Sequence, residues 1–424
     1  MASEGVKRVY VKQLAQNDNS KNQPYFGSDF ESLNILPNKG VRLEASRTKQ
    51  IFKAALDFHW LGDDGLLSRA PGAQLILYPQ YPEVRFSGFL QRCEKAPSRL
   101  MSGRLRGRLL FLGVGADTRI IGHVVSAESP IAHELDDLPG LARVGVFHEL
   151  PFAAAPDTRS LLVAELRRIH LLGWLDSRRL LASGVFGPCE SSNCGGYTLE
   201  AELGVLPNAF SEPDFLGWEI KQYAVPKFEQ TGAGVLTLMT PEPSGGYYVK
   251  HGVEKFVRKF GYKDKLGRTD RMNFGGIHKI GLRHPATKLT LTLIGFDSAS
   301  AKITDPAGGI ELLSDNGESA ATWRYADLMS HWNRKHARAA FIPSLRRLAP
   351  RRQYSFSPTV RLGEGTDFLL FLRALASGLI YYDPGIKLES ASTSKPKTKR
   401  RSQFRIRSGN LSGLYHALNP VSLL

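Results

Sequence analysis

Residues 212–222 read EPDFLGWEIKQ. In an extended strand successive side chains point to opposite faces. Glu219 and Lys221 therefore share one face, and Ile220 takes the other, where it anchors the strand in a core. Asp214 lies upstream, after a proline and before the strand, and a bend between them brings its carboxylate beside that of Glu219. Two carboxylates at one point are hard oxygen ligands suited to Mg²⁺. A lysine at the same point holds an attacking water or stabilises developing negative charge. Together these groups meet the requirements for metal-assisted hydrolysis of a phosphodiester. A Glu-x-Lys triplet alone is weak, because this composition yields about one by chance. The upstream aspartate and the apolar strand around Ile220 make the stretch informative.

Outward from this stretch, residues 187–205 (GPCESSNCGGYTLEAELGV) read as a Gly-rich loop followed by a helix, with Thr198 near its start. Residues 160–175 carry apolar side chains at helical spacing, and Asp157 is a plausible N-cap. Segments 216–225, 235–240 and 288–296 read as strands, 368–382 as a buried helix, and the Ser/Lys-rich stretch 388–402 as mobile. The first part of the chain is different. Period-2 alternation recurs in 9–14, 74–79, 84–90, 108–115 and 119–125, with Gly and Pro between, which suggests a barrel or a sandwich. A single helix is expected there, over 48–61. HELPFAAAPDT, with two prolines and an alanine run, reads as a linker. The expected organisation is a domain over 1–147, a linker over 148–158 and a second domain over 159–424.

The chain has 424 residues, with 56 Lys and Arg against 40 Asp and Glu, a formal charge of +16. Such a field favours a polyanion, either nucleic acid or an anionic membrane surface. No apolar run reaches the roughly 18–20 residues that span a bilayer, and the N-terminus MASEGVKRVY lacks the apolar core of a signal peptide. Three cysteines exclude a disulfide-dense secreted scaffold. Cys189 and Cys194 read as free thiols in a reducing, cytoplasmic compartment. Residues 334–352 contain Arg334, Lys335, Arg338, Arg346, Arg347, Arg351 and Arg352 with no acid between, and 395–407 hold a second basic run. Beside a nuclease centre, such runs suit contacts to phosphates.

The stretch GGYTLEAELGVLPNAFSEPDFLGWEIKQ resembles the MvaI/BcnI family of restriction endonucleases, relatives of the mismatch-repair nickase MutH. The likeness continues through most of 155–424, in LRRIHLLGWLDSRR, VLTLMTPEP, FVRKFGYKD and QFRI. The resemblance implies an α/β PD-(D/E)xK nuclease domain in which Asp214 and Glu219 bind the metal and Lys221 completes the catalytic centre. It implies that Glu200 supports that centre from a helix, with Glu202 as the neighbouring alternative. It also implies a base-reading arginine at Arg405, in a strand, where a bidentate contact to guanine is the commonest specific readout. Asp383 and Lys387 lie near the family's other major-groove position.

At the other end, YVKQLAQND resembles the opening of the EcoRII N-terminal effector domain, through Lys12, Leu14, Asn17 and Asp18, with Gln13 where that family has arginine. The resemblance implies an all-β pseudobarrel that grips the major groove with two arms. One arm would carry Asn19, Lys21, Asn22 and Gln23, the other Arg85, Ser87 and Arg92. The two likenesses together imply a monomeric, Mg²⁺-dependent type II endonuclease acting on double-stranded DNA at CC(A/T)GG, with the N-domain on a second copy of the site. A mismatch-repair nickase and a DNA-binding regulator with an inactive nuclease domain are the alternatives.

Overall fold

The computed structural model describes residues 1–16, 23–45, 50–103, 105–115, 117–135, 140–151, 157–206 and 213–424. The chain divides into two compact units, 1–156 with 302–306, and 157–301 with 307–424. Phe147–Leu150, at the start of the expected linker, is a strand that pairs with Val6–Gln13 in the first unit.

Two sheets make up the first unit. The larger runs, in spatial order, Ala142–Val144, Phe147–Leu150, Val6–Gln13, Leu109–Gly115, Ile120–Val125, Phe58–Leu61 and Leu67–Arg69. The smaller runs Val41–Ala45, Gln50–Ala55, Gln74–Tyr78 and Glu83–Ser87. Among the described residues neither sheet closes on itself, which corrects the expected pseudobarrel to two open sheets. Closure needs the first and last strands to pair along their length. The end strands of the larger sheet are only three residues long and largely solvent-facing. The helix expected over 48–61 is also corrected: Gln50–Ala55 and Phe58–Leu61 are strands. Phe52 and Ala54 are wholly buried and alternate with half-exposed Ile51, Lys53 and Ala55, a period of two that overrides the helix-forming alanines. Phe58 of the larger sheet packs with Trp60 beside it and with Phe86 of the smaller sheet, ring centroids about 5 Å apart. Gly122 makes room for them, since a Cβ there would lie 2.2 Å from the Phe58 ring.

The second unit is built on a mixed sheet in the order Leu175–Asp176, Gln353–Phe356, Arg338–Arg347, Thr359–Glu364, Ala417–Ser422. Glu219–Ala224 pairs parallel to Arg338–Arg347, with Glu219 opposite Ala339 and Lys221 opposite Phe341. The helix Thr158–Leu171 starts where expected, with the Asp157 carboxylate accepting from the backbone N–H of Arg159 and Ser160 at 3.1 Å. Its Leu162, Leu166 and Ile169 bury against Ile220, Ala340, Ile342 and Leu362 on one face of the sheet. Ile220 thus anchors its strand, and Glu219 and Lys221 are left for the other face.

The helix on which Glu200 sits spans Cys194–Glu202, so it opens before the two glycines rather than after them. A Cβ on Gly195 would stand 2.7 Å from the Gln222 amide, which would have to shift to admit it. Phe368–Ala376 is helical, but Ile380–Tyr382 leaves through Gly378 as a strand. The stretch expected to be mobile contains a hairpin, Gly385–Glu389 against Lys397–Lys399. Cys189 and Cys194 are joined in a disulfide, Cα to Cα 5.7 Å, which corrects the free thiols. The loop between them turns back on itself, with Ser191 Oγ 3.7 Å from Cys189 Sγ and 3.5 Å from Cys194 Sγ.

A disulfide closing so short a loop removes about 2 kcal/mol of denatured-state entropy. Replacing Cys189 and Cys194 together by serine is expected to lower the urea midpoint of the non-reduced protein. An unchanged midpoint, with all three thiols titratable before reduction, would restore the free thiols.

Candidate active site

The bend that joins Asp214 to Glu219 is a two-residue turn. Phe215 and Trp218 exchange backbone hydrogen bonds at 3.0 and 2.8 Å. Between them Leu216 and Gly217 have φ of 49° and 80°, the positive values that a tight hairpin turn of the primed type demands. Glycine meets this freely and leucine does not, so the turn is held from outside. Trp218 is fully buried, and its indole N–H donates to Thr158 Oγ at 3.4 Å. The Arg338 guanidinium lies 5.3 Å over the same ring and donates to Thr158 at 3.2 Å. The hairpin folds Asp214 back toward Glu219, and Asp214 Oδ2 accepts from the backbone N–H of Ile220 at 2.9 Å.

Glu219 is the centre of the group. Its side chain is 2% exposed, and its Oε1 accepts from Lys221 Nζ at 2.5 Å. Lys335 Nζ, from the last turn of the helix Tyr325–His336, stands 3.7 Å from the same oxygen. Among the described residues Glu219 Oε2 is buried with no hydrogen-bond partner. Burial opposes ionisation of Glu219, but the positive groups beside it, Lys221 first, outweigh it and hold its carboxyl below the usual range. Asp214 is pushed up by burial and by the charge of Glu219. Burial, then Asp214, raises Glu200 furthest, to about 7. The two helical glutamates thereby separate: Glu202 is bound by Arg178 at 2.7 Å, whereas the acidity of Glu200 answers to Asp214, Lys221 and Glu219.

Among the described residues no three or more His, Cys, Asp or Glu side chains form a ready-made metal cage. Mg²⁺ does not require one, since it keeps several waters and uses one or two carboxylates with substrate phosphates. A buried carboxylate oxygen without a partner, beside a second carboxylate, is what such an ion needs. Glu219 and Asp214 fit it.

The remaining expected residues fall in separate places. Arg405, on Phe404–Arg407, donates to Asp383 Oδ2 at 2.6 Å, so these two are together. Lys387 is on another sheet, directly opposite Asn273 and Lys399. In the first unit Gln23 donates to Ser87 at 2.8 Å, and Arg85 donates to the Gln23 carbonyl at 3.3 Å. Arg85 and Lys12 both approach the Tyr25 ring, at 5.5 and 5.9 Å. Lys12 also lines a cavity of about 580 Å³ with His133 and His148. Arg92 is exposed, on its own turn, with φ 54°. Asn19, Lys21 and Asn22 lie outside the described residues. Sequence reasoning missed Lys335, Arg338 and Thr158 at the carboxylate cluster. Lys335 and Arg338 were visible only as members of a basic run, and no spacing ties either to Glu219.

The model of the MvaI/BcnI restriction endonuclease family matches residues 163–415, and the chain belongs to that family. Membership places it among the nucleases. Two solved structures are similar to it. The complex of restriction endonuclease MvaI with a cognate DNA substrate is 17% identical, with a TM-score of 0.46 over 63% of this chain and 99% of that one. MvaI in the absence of DNA is 16% identical, with a TM-score of 0.35 over 62% and 98%. No curated protein matches the chain. Among the described residues no helix is long and apolar enough to cross a membrane.

The raised pKa of Glu200 has a definite sign in stability. The folded state holds this proton up to about pH 7, while the unfolded chain releases it near 4.5. Stability is therefore fully present below pH 4.5 and falls as pH rises to about 7. In EDTA, Glu200→Gln is expected to melt above wild type at pH 8 and to converge with it at pH 5. Parallel melting curves across that range would show that Glu200 is ionised throughout.

Proposed function

We propose that this chain is a Mg²⁺-dependent, sequence-specific type II endonuclease that hydrolyses phosphodiester bonds in double-stranded DNA. The observation that carries the reading is the unpartnered, buried Oε2 of Glu219, next to Asp214 and flanked by two lysines. Asp214 and Glu219 would hold the ion, which when bound activates water and stabilises charge on the phosphate. Lys221 is fixed by Glu219 on the face where the phosphate is handled, and orients the attacking water. Glu200 carries a proton beside Asp214 and limits the negative charge of the cluster while no cation is present. In the reaction an oxygen–phosphorus bond forms from water, the bond to the 3′ oxygen breaks, and the products are a 5′-phosphate and a 3′-hydroxyl.

The target CC(A/T)GG rests on the likeness of both parts of the sequence to enzymes of that specificity. Arg405, held by Asp383, is the side chain assigned to base reading, and Lys387, on a separate sheet, is the further candidate for a major-groove contact. The +16 charge supplies attraction to the duplex. The enzyme works as a monomer in this reading, and the first unit binds a second copy of the site through Lys12, Gln23, Arg85 and Ser87 around Tyr25.

Unmethylated plasmid DNA incubated with Mg²⁺ is expected to give discrete fragments ending within CC(A/T)GG, and none with EDTA. Lys221→Ala is expected to abolish cleavage, a loss of at least about 1,000-fold, while leaving duplex binding within a few-fold. Fragments at another sequence would discard the specificity alone. Nicks that never progress would favour a mismatch-repair nickase, and intact DNA with specific binding a regulatory protein. Separately, adding a short cognate duplex to a one-site plasmid is expected to accelerate cutting; no stimulation at any duplex concentration would remove the second-site role.

A further inference from the structure

Lys335 has no part in the reading above beyond its charge, and the geometry around it is specific. It closes the helix Tyr325–His336, and the residues on either side of it on that helix are tied down. Trp332 is fully buried and donates to Thr366 Oγ at 3.2 Å. His336 is fully buried, stacked on Trp332 with ring centroids 4.1 Å apart, and bonded to the Leu238 carbonyl at 3.0 Å. Two residues later the strand Arg338–Arg347 begins, in parallel register with Glu219–Ala224. The helix end therefore delivers Lys335 to the same end of the sheet as Glu219, with little freedom in its backbone.

Glu219 Oε1 is already neutralised by Lys221 at hydrogen-bond distance, so a second ammonium at 3.7 Å is more than that carboxylate needs. Lys335 keeps a fifth of its side chain exposed, against 2% for Glu219, so it is not sealed in as that carboxylate is. At 3.7 Å Lys335 makes no hydrogen bond to Glu219, whereas Lys221 does at 2.5 Å, so the positive charge of Lys335 is the one left to meet an incoming anion such as a phosphodiester.

We propose that Lys335 is a second catalytic lysine, held near Glu219 in the resting enzyme and contacting the scissile phosphate when the duplex is bound. The proposal rests on the endonuclease reading above. A lysine is suited to this move, because its ammonium is a point charge on a flexible stem, free to leave one anion for another. Lys221, by contrast, is locked in its hydrogen bond on the strand.

The test compares Lys335→Ala, Lys335→Arg and Lys221→Ala on a synthetic duplex carrying the mapped cleavage site. Single-turnover cleavage is measured with Mg²⁺, duplex binding is measured with Ca²⁺ across a salt series, and melting is measured alongside. Lys335→Ala is expected to cut about 100-fold more slowly at saturating enzyme. Its slope of log affinity against log salt should be shallower by about one, the loss of one phosphate contact. Its melting temperature should stay near wild type, and Lys335→Arg should recover most of the rate and the slope. A wild-type rate or an unchanged salt slope in Lys335→Ala would overturn the proposal. So would early melting that arginine does not rescue, since that is the mark of a purely structural role. If Lys221→Ala itself cuts normally, the endonuclease centre is misplaced; if it is inactive while Lys335→Ala is fully active, only the second lysine falls.

Discussion

A carboxylate sealed from water at the edge of a sheet is the constraint around which this catalytic unit is arranged. An unpaired buried charge costs several kcal/mol or neutralises itself by taking up a proton. Glu219 does neither, because Lys221 lies two residues along the same strand face and Lys335 arrives from a helix end. Both lysines depend on distant parts of the chain. Lys221 is in place because Ile220, between it and Glu219, is held in the core by the helix Thr158–Leu171. Lys335 is in place because Trp332 and His336 are buried on either side of it. The turn at Leu216–Gly217 then adds Asp214, with Trp218, Arg338 and Thr158 bracing a backbone that leucine does not adopt readily. Removing any of these supports would leave the site residues present and their relative positions unset.

The parts of this arrangement that the sequence discloses are those governed by short-range rules. Alternation along EIK assigns Glu219 and Ile220 to opposite faces, a proline before Asp214 marks a bend, and Asp157 caps its helix. What is hidden comes from contacts between segments far apart in the chain. Lys335 is indistinguishable in composition from its basic neighbours until the helix end is placed against the strand. Gly195 and Gly196 look like loop residues, yet both lie inside a helix, with the Gln222 side chain of a neighbouring strand packed close to Gly195. In 48–61 the alanines favour a helix locally, and burial of Phe52, Ala54, Phe58 and Trp60 in two packed sheets decides for strands. The disulfide between Cys189 and Cys194 depends on a reversal of the loop that residue types alone do not announce. The open edges of the first unit, where a closed barrel seemed natural, come from end strands too short to meet.

The same separation of ranges governs the electrostatics. The chain as a whole is strongly basic, yet the cluster around Glu219 gathers three acidic side chains against two lysines. These facts do not conflict, because at physiological salt exposed charges are screened beyond roughly 8 Å. In the proposed reading a duplex approaching from a distance meets the Lys and Arg of 334–352 and 395–407, which draw it in without selecting a sequence. Within the last few ångströms it meets the buried carboxylates of Asp214 and Glu219, whose charge two lysines offset. In the proposed reading a divalent cation adds positive charge at that point, where among the described residues Glu219 Oε2 has no hydrogen-bond partner. Metal dependence is then a consequence of packing as much as of chemistry. A site with its carboxylates exposed would be hydrated and screened, and would repel a phosphate weakly. A site with Glu219 buried holds its charge at low dielectric, where the cation is needed both to admit the phosphate and to stabilise the charge that develops on it.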